Sequence, residues 1–175
     1  GSMGTSTATL YAGGYTTAFV TTSESWNGTA WTELADINTA RDQITSGGTT
    51  TAGLICGGES PADAYEQETE TWDGSSWTVA ADLTTGRIMG GGSGLQTEFL
   101  CYGGGTPSPT VNTEDWNGVS WTEVANLSTA RNDLSYGSQG TVASCLATGG
   151  ATPGPTFYVA TEEWTMPQNV EIITD

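Results

Sequence analysis

Arg41, Arg87 and Arg131 are the only cationic side chains in a chain with 20 acidic residues, no lysine and no histidine. Each closes the same short phrase: "NTAR" at 38–41, "TTGR" at 84–87 and "STAR" at 128–131. Glu24, Glu70, Glu114 and Glu162 recur as regularly, each two residues before a tryptophan (Trp26, Trp72, Trp116 and Trp164). A guanidinium is a planar fork that stays charged when buried and matches a carboxylate better than an ammonium does. Two kinds of chemistry follow. The arginines could converge on one pocket and clamp a substrate carboxylate, or each could bridge a glutamate within or between structural units. Equivalent repeat positions spread around a structure rather than meeting at one point, which favours the bridge.

Other reactive groups are sparse. Without histidine, neither a Ser-His-Asp nor a Cys-His nucleophile can be assembled. Cys56, Cys101 and Cys145 each sit in an apolar run just before a Gly-Gly pair, the setting of a buried free thiol rather than of closely spaced zinc ligands. A carboxylate pair could hydrolyse glycosides, but no spacing singles one out. No EF-hand spacing is present. The expectation is a protein that is not an enzyme and holds no metal or cofactor. A net charge of −17 repels phosphate backbones and anionic lipid, which argues against nucleic acid and membrane partners. No apolar run is long enough to span a bilayer as a helix. The charge suits solubility in a salty medium, with a basic partner as the alternative.

These residues are positioned by a repeat. "WNGTAW" (26–31), "WDGSSW" (72–77) and "WNGVSW" (116–121) pair Trp26 with Trp31, Trp72 with Trp77 and Trp116 with Trp121 around an Asn-Gly or Asp-Gly, the signal for a tight type I′ hairpin. "LYAGG" (10–14), "LICGG" (54–58), "LCYGG" (100–104) and "LATGG" (146–150) recur in step, at a period of roughly 45 residues. Each repeat reads as four short strands. A Gly/Ser-rich strand follows the arginine, an apolar strand ends at Gly-Gly, a third runs into the first Trp, and the hairpin delivers a fourth. Glu and Trp two residues apart on that third strand share a face. Four strands per repeat point to a β-propeller, with glycine where the innermost strands crowd. Tryptophan at a fixed place in every repeat suits packing between blades, with sugar stacking as the alternative.

The order Gly57-Gly58, Trp72-Asp73, Trp77 and Arg87 resembles the kelch repeat, with Trp where that family usually carries Tyr. The form "TExWNGxSWTExxxLxTAR" is similar to the Thr/Gly-rich kelch arrays of marine bacteriophages and marine environmental sequences. The windows "ESWNGTAW" and "ETWDGSSW" resemble the sialidase Asp-box only in Gly and the final Trp, since Trp stands where its Asp belongs. Copper oxidases built on kelch propellers use histidine ligands, which this chain lacks. The resemblance implies an all-β kelch-type propeller of about four blades of four antiparallel strands, over about 5–40, 41–86, 87–130 and 131–175. The first blade is expected to lack its innermost strand. Residues 1–4 read as the remnant of an expression tag outside a single domain spanning 5–175.

A propeller must close, as a compact four-bladed ring, as an arc paired with a second chain, or as a segment of a longer array. Differences between repeats concentrate between the second and third strands. Recognition is therefore expected in loops containing Asp63, Tyr65, Glu66, Phe157 and Tyr158, on the face shared with the blade linkers. The function implied is a non-enzymatic scaffold for binding or assembly, contacting a protein or glycan surface in a virion, tail-fibre or extracellular setting. The alternatives are a purely structural repeat that dimerises to complete a larger ring and, further off, a glycosidase-like enzyme.

Overall fold

The computed structural model describes residues 1–62, 64–134, 140–152, 159–165 and 169–173, and for the last of these segments the backbone alone. Among the described residues there is no helix. Four antiparallel sheets of four strands follow one another along the chain, each a meander in sequence order. The first holds β1 (Ser2–Thr5), β2 (Ala8–Tyr15), β3 (Phe19–Trp26) and β4 (Trp31–Glu33). The second holds β5 (Thr45–Gly48), β6 (Gly53–Cys56), β7 (Thr69–Trp72) and β8 (Trp77–Val79). The third comprises β9 (Gly91–Leu95), β10 (Glu98–Tyr102), β11 (Thr113–Trp116) and β12 (Trp121–Glu123). The fourth comprises β13 (Gly140–Thr141), β14 (Ser144–Thr148), β15 (Thr161–Thr165) and β16 (Asn169–Ile173).

Consecutive sheets stack face to face, and each seam has its own apolar core. Leu10, Ile55, Trp72 and Trp77 belong to the seam of sheets one and two. Leu54, Phe99, Trp116 and Trp121 fill the seam of sheets two and three, and Leu100, Tyr102, Cys145 and Trp164 that of sheets three and four. The middle strands β6 and β10 are consequently apolar on both faces, as strands sandwiched between layers must be. Glycine on the inner strands is what lets the layers approach: a Cβ on Gly47 would collide with the Phe99 ring of the third sheet, and one on Gly92 with Thr45 of the second. Strands β1, β5, β9 and β13 border one cavity of about 570 Å³, to which Ser2, Gly47, Gly94 and Thr141 all contribute. The arrangement is propeller-like, but it does not close. No core cluster among the described residues joins the fourth sheet to the first.

Two sequence expectations need correction. The first sheet does not lack its innermost strand, because Ser2–Thr5 pairs with β2 in register from Ser2 opposite Tyr11 to Thr5 opposite Ala8. The residues expected to lie outside the fold are extended and polar-edged, and their single apolar side chain, Met3, is buried in the first seam. Ser2 also donates its N–H to Ser46 Oγ of the second sheet, and the Gly1 amine donates to Ala12 O.

The Trp-flanked hairpins are not type I′ turns. Trp26 pairs with Trp31, leaving four loop residues, and only the glycines Gly28, Gly74 and Gly118 take positive φ there. The preceding Asn or Asp instead works through its side chain. Asn27 Oδ1 accepts the N–H groups of Thr29 and Ala30, Asp73 Oδ1 those of Ser75 and Ser76, and Asn117 Oδ1 those of Val119 and Ser120. An Asx side chain that satisfies two loop donors replaces the backbone conformation the dipeptide suggested.

Candidate functional site

The linker arginines are structural keystones. Arg87 lies in the linker entering the third sheet, and its side chain is fully buried. Its Nη2 pairs with Glu114 Oε1, while Nη1 donates to Gly103 O (3.1 Å) and Asn112 O (2.8 Å). The second Glu114 oxygen accepts the linker N–H of Thr84 at 2.7 Å. Arg131 repeats this in the fourth sheet, pairing with Glu162 and donating to Gly149 O and Ala160 O, with Ser128 N–H on the other Glu162 oxygen. Arg41 bridges two carboxylates, Glu68 at 2.6 Å and Glu70 at 3.1 Å, and Asn38 N–H and Nδ2 donate to Glu70. Each bridge therefore fastens the linker leaving one sheet to the third strand of the next. The Gly-Gly pair completes the fastening: Gly58 N–H donates to Arg87 O and Gly104 N–H to Arg131 O, with both glycines at positive φ.

Sequence reasoning missed Glu68. Its position two residues before Glu70, on the same face of an extended segment, was the signal. Burial pushes the Glu68 carboxyl up, but the Arg41 guanidinium and the Thr39 hydroxyl outweigh it, and the pKa lies below the usual 4.5.

The tryptophans are also interior fittings, except Trp31 and the half-buried Trp26 of the first sheet. Trp77 Nε1 donates to Ser23 Oγ of the preceding sheet, and Trp121 Nε1 to Thr69 Oγ1, each at 3.0 Å. Trp72, Trp116 and Trp164 donate to Thr50 O, Gln96 O and Val142 O at the inner turns of their own sheets. Trp77 and Trp121 are 6% and 8% exposed, whereas Trp31 at the same repeat position is 50% exposed. Its ring still meets Trp26 at 5.5 Å and 42°, nearly the geometry of the Trp72–Trp77 pair. The hairpin is intact; what it lacks is a neighbouring sheet.

The same asymmetry runs through the rest of that face. Tyr11 is 38% exposed where its counterparts Ile55 and Cys101 are buried, and Glu24 is exposed where Glu70, Glu114 and Glu162 are buried. At the other end, Leu146 is 39% exposed although Leu10, Leu54 and Leu100 are fully enclosed. Strand β14 alternates exposed and buried along its length, while β6 is buried throughout. Thus, among the described residues, the outer faces of the first and fourth sheets are uncovered, as expected of an arc that has not closed.

Of the expected binding loops, only Tyr65 and Glu66 lie within the described residues; Asp63, Phe157 and Tyr158 lie outside them. Both are half-buried. Glu66 accepts the Ser60 hydroxyl and, through its backbone, binds Gly58 O and the Arg87 N–H, so this loop rests on the linker. Cys56, Cys101 and Cys145 are free and buried. Burial raises the Cys56 thiol, which contacts Cys101 across the seam, and pushes Cys145 up to about 12. No group of three or more His, Cys, Asp or Glu among the described residues is placed to hold a metal ion. No helix there is long and apolar enough to cross a membrane. In comparison with known proteins, the chain matches no family model and no curated relative.

Proposed function

We propose that the chain is a non-enzymatic kelch-type β-propeller scaffold whose four sheets are blades and whose work is binding and assembly. The observation that carries this reading is the fate of its charges. All three guanidinium groups are buried against glutamates of the scaffold, so none is presented to a substrate. The order Gly-Gly, Trp, Trp, Arg that resembles kelch repeats corresponds to a linker turn, two seam rings and a linker bridge, a structural use for every element of the motif. Recognition on such a scaffold belongs to the loops beside the linkers, including Tyr65 and Glu66.

A glycan array and a panel of immobilised surface proteins test the reading. Selective binding that is lost in Tyr65→Ala, with an unchanged unfolding midpoint, supports loop recognition. Turnover of any bound glycan counts against a non-enzymatic scaffold. The second reading, assembly as the sole task, is favoured by the uncovered end faces.

A further inference from the structure

We infer that the exposed face of the first sheet, carrying Tyr11, Trp26 and Trp31, docks the Leu146 face of the fourth sheet of a second copy. The inference rests on the blade reading proposed above and names the partner for it. The molecule itself shows what covers these faces. In each internal seam, one sheet offers a leucine (Leu10, Leu54 or Leu100) and the next offers its tryptophans, two in the first and second seams and Trp164 alone in the third. Among the described residues no sheet covers Leu146 at that position in the fourth sheet, and none covers Trp26 and Trp31 in the first. The two uncovered faces are therefore opposite halves of one interface that the chain builds three times within itself.

The hydrogen-bond pattern extends to the same pair. Ser23 and Thr69 accept the indole N–H of the tryptophan in the next sheet, and Thr161 occupies that position in the fourth. Trp31 is the one second-position tryptophan without such a bond among those found, so the docked arrangement directs it to Thr161 of the partner copy. Because each copy owns both halves, two copies joined head to tail form two identical contacts under a twofold axis, leaving no face unused. The contact is weaker than an internal seam for two reasons. No arginine arrives at Glu24, since all three are engaged elsewhere. Two chains of net charge −17 also repel each other, so association strengthens as salt shortens the screening length to about 8 Å at 0.15 M.

Light scattering on size-exclusion fractions, repeated from low salt to about 0.15 M salt, reads the mass directly. The expected result is twice the 18.1 kDa protomer, with the paired fraction rising with protein concentration and with salt. Trp31→Glu and Leu146→Glu should each abolish pairing, and because both residues serve one contact the double variant should be no worse than either. Both side chains are already exposed, so at concentrations low enough to keep every form a protomer the variants should unfold near the wild-type midpoint. A protomer mass maintained up to about 1 mM overturns the inference. So does a dimer indifferent to Leu146→Glu, which would mean two first sheets meeting each other. A monomer whose Trp31 is shielded from acrylamide overturns it in favour of closure onto its own fourth sheet. Each of these failures leaves the scaffold reading standing, because the internal seams and their arginine bridges are measured separately by the stability of the protomer.

Discussion

Glu114 and Glu24 hold the same place in successive copies of one repeat, on the same strand face and beside the same pair of tryptophans. Glu114 is buried with an arginine, a linker N–H and a sheet packed over it; Glu24 is exposed. The adjacent Trp121 and Trp31 diverge in the same way. Local sequence builds an equivalent face in both sheets, and only the presence of a preceding sheet and its linker turns that face into an interior. The contrast separates what a blade does by itself from what it does as a neighbour.

The strongest test of that contrast is the arginine bridge. Arg87→Met should cost about 3–5 kcal/mol in urea unfolding, because Glu114 remains buried without its cation. Glu24→Gln, which leaves no buried partner behind, should stay within about 0.5 kcal/mol. An unfolding midpoint untouched by Arg87→Met would mean that the bridges do not fasten the sheets. Next, Trp77→Ala should cost about 3–5 kcal/mol by emptying the first seam. Trp31→Ala, measured on the dilute protomer, should cost less than about 1 kcal/mol, since half of the ring is already in water.

A smaller effect is expected at the seam hydroxyls. Thr69 accepts Trp121 Nε1, and Thr69→Val should lose about 1 kcal/mol. The counterpart Thr113 has a buried Oγ1 without a partner, because Val170 stands opposite Trp164 where the other sheets place a second tryptophan. Thr113→Val should therefore be neutral or stabilising by thermal melting.

Acid titration sharpens the account of the one doubly bridged arginine. Glu68 has a folded-state pKa below the ordinary 4.5, so its contribution is fully present above 4.5 and is lost as pH falls through the lowered value. Glu68→Gln should flatten that part of the stability–pH curve and leave the neutral region's slope unchanged. The smallest effect is reserved for the hairpin loops. Asp73→Asn should leave the melting temperature unchanged at neutral pH, because Asn27 and Asn117 accept the same two backbone donors in the sister loops. That outcome would confirm that the side-chain acceptor, rather than its charge, shapes the turn.

Several of these pairings were legible before any coordinates. The shared repeat position of Arg41, Arg87 and Arg131, with glutamates in fixed phase, already implied intramolecular bridges, and Arg87–Glu114 and Arg131–Glu162 are such bridges. The placing of Glu70 and Trp72 on one face followed from strand alternation, and both are buried together in the seam. Part of the loop expectation was legible as well. Tyr65 and Glu66 lie beside the linker that carries Gly86 and Arg87, on the face expected for them, while the particular backbone contact between segments so far apart in sequence needed the tertiary structure. Residues 1–4 were set apart from the domain because their composition resembles a tag, yet Ser2–Thr5 forms a strand. An open inner edge of β2 accepts any extended segment whose register brings one apolar side chain, here Met3, into the core.

Sequence alone determined the period, the division into short strands, the faces those strands present and the repeat positions that supply the charge partners, Glu68 apart. These follow from side-chain alternation and repeat phase, which are properties of the chain over a few residues. Tertiary structure alone decided which copies of the motif are interior. Burial of a face depends on whether another sheet lies within van der Waals reach, and Trp31 and Trp77, alike in their local sequence, differ only in that.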